Sequence, residues 1–589
     1  MIFLTRLQFN YSWDAARRDL VAGATVAAIA VPQAMAYALI AGVDPCFGLY
    51  SAIVVTVIAS LFGSSSHLIN GPTNAISLLV FGALVAFDER FETYQAMFLL
   101  AIMVGVMQIL IAVFRLGDLT RYVSESVILG FMAGAGLLVV VGQVGNFLGA
   151  AKRGTGDQSV LAQLWETLTK GGPINPNAIA LGVGTIVLVL LLRRLINRYK
   201  LPQMDMLLAL IAATLVAAFF QWSEPGADGK TIVAVVGEVP AALPSFHIPE
   251  VSVDWLSKLM SGAIAISLLG LVEALAVAKS IASHTRQPLD YNRQCLAEGI
   301  ANLCGGFFQS LPGSGSLTRS SINYQSGGVT RMSGIYSAVI VAVVVLLFGP
   351  YARFIPKAAL AGLLFITAAR LVDWKRLGYA LRASRFDAAL VLVTAFSAIF
   401  ISVDESILIG VGLSILLFVP RASRLTVREL IVTPERLVRE RQPQDGPAES
   451  VLIYDLEGEL FFGAAPELDR YLEEIKVRTI GFGLKCVVLR FRRTRNPDVV
   501  AIEHLERFLR ESEQHGVIVL LAGVRSDLAK ILHNAGFYRW LPADRVFLEE
   551  NEQYSATIRA VRHAYALLDQ KNEAMARGDD GDEAWYYLI

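Results

Sequence analysis

Between Leu20 and Phe87 the chain carries one Asp, Glu, Lys or Arg, Asp44, whereas beyond Pro420 charged residues recur every few positions to the end. A helix that crosses a bilayer takes about 20 apolar residues. Apolar runs on that scale predict fourteen crossings, near 20–42, 47–63, 73–87, 94–114, 123–148, 178–192, 206–220, 259–282, 295–308, a short broken stretch from Ser316, 332–348, 358–371, 388–401 and 407–419. From about Glu449 the pattern changes to short apolar runs alternating with amphipathic ones: SVLIYDLEGELFFG, 465–476, CVVLRF, 499–515, VIVLLAGV and 526–535. That alternation predicts a mixed α/β domain. The expected organisation is an N-terminal segment over 1–19, a membrane domain over 20–421, a linker over 422–448, the α/β domain over 449–570 and an acidic tail over 571–589.

Composition narrows the class. Of 589 residues 54% are hydrophobic and 17% charged, against roughly 25% charged in soluble domains. Lys plus Arg and Asp plus Glu both total 51, so there is no basic excess to neutralise nucleic-acid phosphates. Cys46, Cys295, Cys304 and Cys486 form no CxxC pair and the histidines no ligand-spaced cluster, which argues against a metal site or a disulfide scaffold. Without a nucleophile–base pair or a cofactor loop, the chain does not read as an enzyme and implies no cofactor. The N-terminus, with Arg6, Arg17 and Arg18 before an apolar run and no cleavage site, reads as a retained first span.

Charge placement orients the spans. Basic clusters lie at Arg17 and Arg18, at Arg115 and Arg121, at Arg193, Arg194, Arg198 and Lys200, at Arg286 and Arg293, at Arg331, at Lys375 to Arg385 and at Arg421 to Arg428. Each follows an even number of spans. The loop from Gln221 to Trp255 falls on the other side, with Glu224, Asp228, Glu238, Glu250 and Asp254 against Lys230. The positive-inside rule then places both termini and the α/β domain in the cytoplasm, with the spans in the cell (inner) membrane.

The two halves of the membrane region repeat. Pro32-Gln33 in span one precedes Gly71-Pro72-Thr73 by about 40 residues, and Glu273 in span eight precedes Ser314-Gly315-Ser316 by a similar interval. Seven spans per copy is odd, so the second copy is inverted, and interrupted spans at matching places point to a midplane binding site. Pro72 lacks a backbone donor and Gly71 permits an unusual turn, so Thr73 is expected to open a helix partway through the membrane. QSLPGSGSLTRSSIN does the same in the second copy. Backbone of this kind is tolerated only within protein or along a cavity, and two half-helix N-termini suit an anion. The competing reading makes both interruptions loops outside the membrane.

The stretches DLVAGATVAAIAVPQAMAYALIAGVDPCFGLYSAIV, GPTNAISLL, LVEALAVAKSIASHTRQPLDYN and GGFFQSLPGSGSLTRSSIN resemble the SulP family, the sulfate permease family of anion transporters, and the C-terminal region resembles a STAS domain. The resemblance implies a 7+7 inverted repeat of fourteen spans with spans three and ten broken, divided into core and gate domains, forming a homodimer and moving anions by an elevator-like shift of the core. Carried over by position, the substrate site involves Gln33 and Tyr37, Thr73 with Asn74, and Ser316, Thr318 and Arg319. Gln33 and Tyr37 share a helix face, and amide, phenol and hydroxyl groups are suited to an oxyanion. Relatives often carry an aromatic where Thr73 stands, and the more polar residue fits a tetrahedral oxyanion better than a halide.

Glu273 is the expected coupling residue, because an ionisable group inside an apolar span is costly and marks function. It would carry a proton in with the anion; the alternative is a structural carboxylate between helices. Arg319 could supply positive field to the anion or neutralise Glu273. Lys279 reads as a snorkelling residue, Glu298 as a helix-end group, and His67 has no assigned role. Ala22, Gly23, Ala27 and Ala28 read as close helix packing. In the STAS-like region Val500 stands where relatives carry a phosphorylated Ser or Thr, so that modification is excluded there. The functional expectation is sulfate uptake by proton symport, with sodium-coupled bicarbonate or dicarboxylate transport, an anion channel or exchanger, and a regulatory scaffold as alternatives; a cytoplasmic regulator could bind the STAS region.

Overall fold

The computed structural model describes residues 11–87, 89–115, 124–150, 160–199, 203–224, 231–432, 437–445, 451–549, 556–569 and 586–587. Arg6, Arg121, Lys200, Asp228 and Lys230, and the acidic tail apart from Tyr586 and Tyr587, lie outside those residues. The chain separates into two compact units, Met1–Ser414 and Ile415–Ile589.

The first unit is helical. Its first half contains α1 (Trp13–Ile40), α2 (Pro45–Phe62), α3 (Asn74–Leu84), α4 (Arg90–Val113), α5 (Glu125–Leu148), α6 (Val160–Lys170), α7 (Pro176–Tyr199) and α8 (Asp205–Phe219). Its second half contains α9 (Val253–Thr285), α10 (Tyr291–Phe307), α11 (Leu317–Gln325), α12 (Met332–Phe348), α13 (Lys357–Leu371), α14 (Trp374–Ala383), α15 (Arg385–Phe400) and the start of α16 (Val403–Ala422). Helices α1, α2, α4, α5, α7, α9, α12 with the 3-10 turn that continues it, and α16 are long and apolar enough to cross a bilayer, and α3 and α8 are shorter apolar helices. Every apolar segment expected from the sequence falls on a helix. Counting apolar runs does not register α6 and α14, which are short and amphipathic.

Local sequence sets the ends. Ser12 caps α1 by accepting from Ala15 N at 3.2 Å, Pro45 begins α2 where its missing N–H costs nothing, and Gly149 ends α5 in the left-handed region. Helices α1 to α4 pack with α9 to α12, and α5, α7 and α8 with α13 and α15. Small residues allow the closest approaches: a Cβ on Gly105 would lie 2.4 Å from the Leu303 backbone nitrogen, and one on Gly306 2.5 Å from Ile102 Cγ1. Helices α4 and α10 can therefore meet backbone to backbone.

Two short strands interrupt this packing. β1 (Asn70–Gly71) pairs antiparallel with β2 (Ser314–Gly315), with Asn70 opposite Gly315 and Gly71 opposite Ser314. Ser316 N donates to Ile69 O at 2.9 Å and extends the pairing. α3 starts immediately after the first strand and α11 after the second.

The second unit is a seven-stranded sheet flanked by helices. Its strands are β3 (Thr426–Val432), β4 (Leu437–Glu440), β5 (Val451–Glu459), β6 (Cys486–Arg495), β7 (Ile518–Val524), β8 (Val546–Leu548) and β9 (Tyr586–Tyr587), in the order β8-β7-β6-β5-β3-β4-β9. β5 to β8 are parallel, and β3 is antiparallel to both neighbours. α17 (Ala465–Gly481), α18 (Val499–Gln514) and α19 (Ser526–Asn534) bury one face through Leu468, Leu505 and Leu528, while α20 (Ala556–Asp569) buries the other through Ala560, Val561 and Ala564. The segment expected as a linker differs from a plain connection: its 426–432 and 437–440 stretches are strands of this sheet. Alternating charges such as Arg428, Glu429 and Glu440 mask the buried Leu430 and Val438, which pack with Val451 and Ile453.

Candidate functional site

The strand pairing brings together positions about 240 residues apart, and glycine is what lets them meet. Gly71 has φ +136°, a backbone conformation closed to other residues, and a Cβ there would lie 2.8 Å from Arg319 Nη1. A Cβ on Gly313 would lie 2.8 Å from Gly71 O, and one on Gly315 2.9 Å from Ala274 Cα. Behind the crossing, Asn302 Nδ2 donates to Gly313 O at 3.0 Å and to Gln108 Oε1 at 2.9 Å, and Asn302 Oδ1 accepts from Gly313 N at 2.7 Å.

From this crossing the two short helices start in the same way. Thr73 caps α3, accepting from Ile76 N at 3.4 Å, and Ser316 caps α11, accepting from Arg319 N at 3.4 Å. The first residues of both helices, Thr73 to Ala75 and Ser316 to Thr318, border one region. There lies a cavity of about 340 Å³ whose walls include Gln33, Tyr37, Thr73, Asn74, Glu273, Ser316 and Thr318. Gln33 Oε1 and Asn74 Oδ1 are buried with no hydrogen-bond partner, so two polar atoms at the cavity wall are left unsatisfied by the protein. Gln33 Nε2 contacts Met206 Sδ at 3.9 Å. Glu273 accepts from Thr73 Oγ1 at 3.1 Å.

Arg319 sits elsewhere than the other seven. It is 1% exposed and does not line the cavity. Its Nη2 donates to Pro72 O at 2.8 Å, so the guanidinium is turned behind the strand crossing and braces α11 against the segment that follows β1. Its charge reaches the cavity as a field, not as a contact.

The opposite wall contains residues that apolar patterning does not single out: Ile128 and Met132 on α5, and Thr367, Arg370 and Leu371 on α13. The sequence analysis assigns Arg370 no role; its place on the cavity is set by how α13 packs on α5. The lining residues of α5 are near its start, those of α13 at its end and Ala276 and Val277 in the last third of α9. All three ends adjoin segments that carry basic residues: Arg115 before α5, Lys375 and Arg376 on α14 after α13, and Arg286 after α9. At the other end of α9, Ser261 Oγ donates to Asp404 Oδ2 at 2.8 Å and Ser402 Oγ to Asp404 Oδ1 at 2.5 Å. A Cβ on Gly82 of α3 would lie 3.3 Å from Asp404 Oδ1, so both helix groups are in contact on that side.

Glu298 differs from the expected helix-end group. It lies near the middle of α10, fully buried, and accepts from Asn70 Nδ2 and from Gln294 Nε2, the latter at 3.1 Å. Gln294 Oε1 in turn accepts from Ser64 N at 3.0 Å and Ser65 N at 3.3 Å. Polar neighbours in sequence suggested a helix end; the three-dimensional neighbours make it a brace for β1. His67 is also buried, with Nε2 2.9 Å from Gly328 O and its ring edge-on to Tyr324. Lys279 is exposed on the last turns of α9, and Val500 is exposed at the start of α18.

A model of the sulfate permease family matches residues 17–394, and a model of the STAS domain matches residues 443–553. A putative sulfate transporter of Bacillus subtilis is 28% identical over 544 residues, 92% of this chain and 98% of that one. A bicarbonate transporter of Picosynechococcus is 27% identical, over 91% of this chain and 94% of that one. The solved structure of the murine solute carrier 26 family member A9 anion transporter superposes with a TM-score of 0.84 at 21% identity, covering 94% of this chain and 92% of that one.

Proposed function

This chain belongs to the sulfate permease family, and from that premise we propose that it is a secondary active transporter of inorganic oxyanions, with sulfate carried inward together with a proton. It is a polytopic helical membrane protein with a C-terminal STAS domain. The observation that carries the proposal is the cavity where the α3 and α11 N-termini converge with Gln33, Tyr37 and the Glu273 carboxyl. Hydroxyl, phenol, amide and backbone N–H groups can replace the hydration of an oxyanion.

In this reading Gln33, Tyr37, Thr73, Asn74, Ser316 and Thr318 hold the anion and Arg319 supplies positive field from behind. Glu273, the acid on the cavity wall, takes the proton that accompanies it. The spans number fourteen in a 7+7 inverted repeat, with α3 and α11 the helical parts of spans three and ten. The helix group α1–α4 with α9–α12 is the core and moves as an elevator past the gate of α5–α8 with α13–α16. The location of the cavity at the basic-loop ends, with contact at Asp404 on the other side, supports a cytoplasm-facing state in the inner membrane. Both termini and the STAS domain are then cytoplasmic, and the STAS domain serves homodimer formation or binds a regulator.

A second reading, sodium-coupled bicarbonate uptake, is favoured by one specific observation: the bicarbonate transporter matches at almost the same identity and coverage as the sulfate transporter. Uptake of labelled sulfate, bicarbonate and a dicarboxylate into proteoliposomes, each under a proton or a sodium gradient, separates them. Sulfate accumulation driven by inward protons is expected. Bicarbonate uptake driven by sodium alone would replace both substrate and coupling ion, and a conductance without any coupling-ion gradient would indicate a channel.

A further inference from the structure

Resting on the oxyanion-transport reading, we propose that Arg370 is the cation that contacts the anion in the cytoplasm-facing cavity, and so sets affinity on that side of the membrane alone.

Among the described residues the cavity wall carries one acid and one cation, Glu273 on α9 and Arg370 on α13. An oxyanion entering beside a carboxyl group needs a positive partner that it can touch. Arg319 is not that partner, since it is buried behind the crossing with Nη2 committed to Pro72 O. Arg370 is exposed, and among the described residues its guanidinium makes no hydrogen bond or ion pair. Its five donors form a planar fork suited to bidentate contact with an oxyanion. Thr367 and Leu371, three residues before it and one after, share the cavity-facing side of α13.

The position on the fold gives the contact its direction. Arg370 lies in the last turn of α13, just before α14 with its Lys375, Arg376 and Arg382, so it stands where an anion would arrive from the cytoplasm. A charge at the mouth of a cleft with low-dielectric walls concentrates counter-ions there. It also belongs to the α5 and α13 wall, whereas Gln33, Thr73, Glu273 and Ser316 belong to the other. When one wall shifts past the other, the anion travels with the residues on α1, α3, α9 and α11 and leaves Arg370 behind. The guanidinium therefore strengthens binding in one state and contributes nothing in the other.

The test is sulfate transport by the full-length protein in proteoliposomes with resolved orientation, measuring half-saturation separately from the cytoplasmic and the outer face. Arg370→Gln is expected to raise the cytoplasmic-face value about tenfold or more, the scale of one lost charge-assisted contact, with the outer-face value unchanged. Arg370→Lys is expected to recover part of that affinity, because it keeps the charge without the fork, and it keeps the comparison available should the Gln variant fold poorly. Equal weakening at both faces, or no change at either, overturns the proposal while leaving oxyanion transport intact. A wild-type protein that moves no sulfate under any gradient overturns the transport reading and this inference with it.

Discussion

The Thr73 hydroxyl donates to the Glu273 carboxylate at 3.1 Å, joining residues 200 positions apart. The same hydroxyl accepts from Ile76 N and caps α3, so the state of the acid on α9 and the start of the short helix are coupled through one oxygen. Thr73→Val removes both bonds while keeping the shape. Loss of the cap is expected to cost about 1 kcal/mol and to reduce transport, whereas Thr73→Ser preserves both. Thermal midpoints in detergent and sulfate uptake check the pair; a Val variant that matches wild type in both would remove the coupling.

Glu273→Gln keeps size and polarity but cannot cycle between protonated and charged forms. Proton-driven accumulation is expected to disappear, while sulfate binding or sulfate–sulfate exchange persists. The comparison of net uptake with exchange in the same vesicles reads this out. Undiminished proton-coupled uptake in the variant would exclude Glu273 as the proton carrier.

Gly71 has no room and no allowed backbone for a side chain. Gly71→Ala is expected to destabilise the protein by about 1–3 kcal/mol through strain and to displace Arg319 from Pro72 O. Gly184, inside α7 with open space around it, is the matched control: Gly184→Ala should stabilise by about 0.5–1 kcal/mol. Thermal unfolding of the two variants side by side would contradict the account if they shift alike.

Glu298 accepts from Asn70 and Gln294 in a fully buried setting. Glu298→Leu strands both amide donors, each at a cost of about 1–3 kcal/mol. Glu298→Gln retains one acceptor and should fall between that variant and wild type. A Leu variant as stable as wild type, in the same unfolding assay, would show that the brace is unimportant.

In the second unit Arg439 donates to both oxygens of Asp445, at 2.7 and 2.6 Å, and Gln442 N donates at 2.6 Å. These bonds, the Arg439 pair first, hold the Asp445 carboxyl at about 2, below its usual 3.8. The folded state thus favours the carboxylate. Its stabilising contribution is complete above 3.8 and is lost as pH falls from 3.8 to about 2. The gap in unfolding midpoint between wild type and Asp445→Asn should therefore close across that window. A gap that stays constant with pH would contradict the linkage.

Much of this is legible in the sequence alone. The helices follow from apolar runs, since a bilayer demands internally bonded backbone over about 20 residues, and Gly71-Pro72-Thr73 announces its turn because only glycine and proline impose such a backbone. Thr73 and Ser316 are recognisable as caps from residue type alone. The strands β3 and β4 were not legible, because their burial depends on partners across the sheet and their local pattern is dominated by charge. Glu298 misleads for the same reason: its neighbours along the chain say helix end, while its neighbours in space are Asn70 and Gln294.

What the sequence by itself determined is the inventory: which segments are helical, where Thr73 and Ser316 open short helices, where the basic residues cluster and which polar residues are present. These follow from local physics, namely backbone bonding, side-chain size and the cost of charge in an apolar run. Tertiary structure decided the allocation. The pairing of Asn70 with Gly315 turns Arg319 away from the cavity, and the packing of α13 on α5 brings Arg370 onto it. Both are guanidinium groups near helix ends, and no local rule separates them. Only the arrangement of distant segments fixes which one lines the cavity.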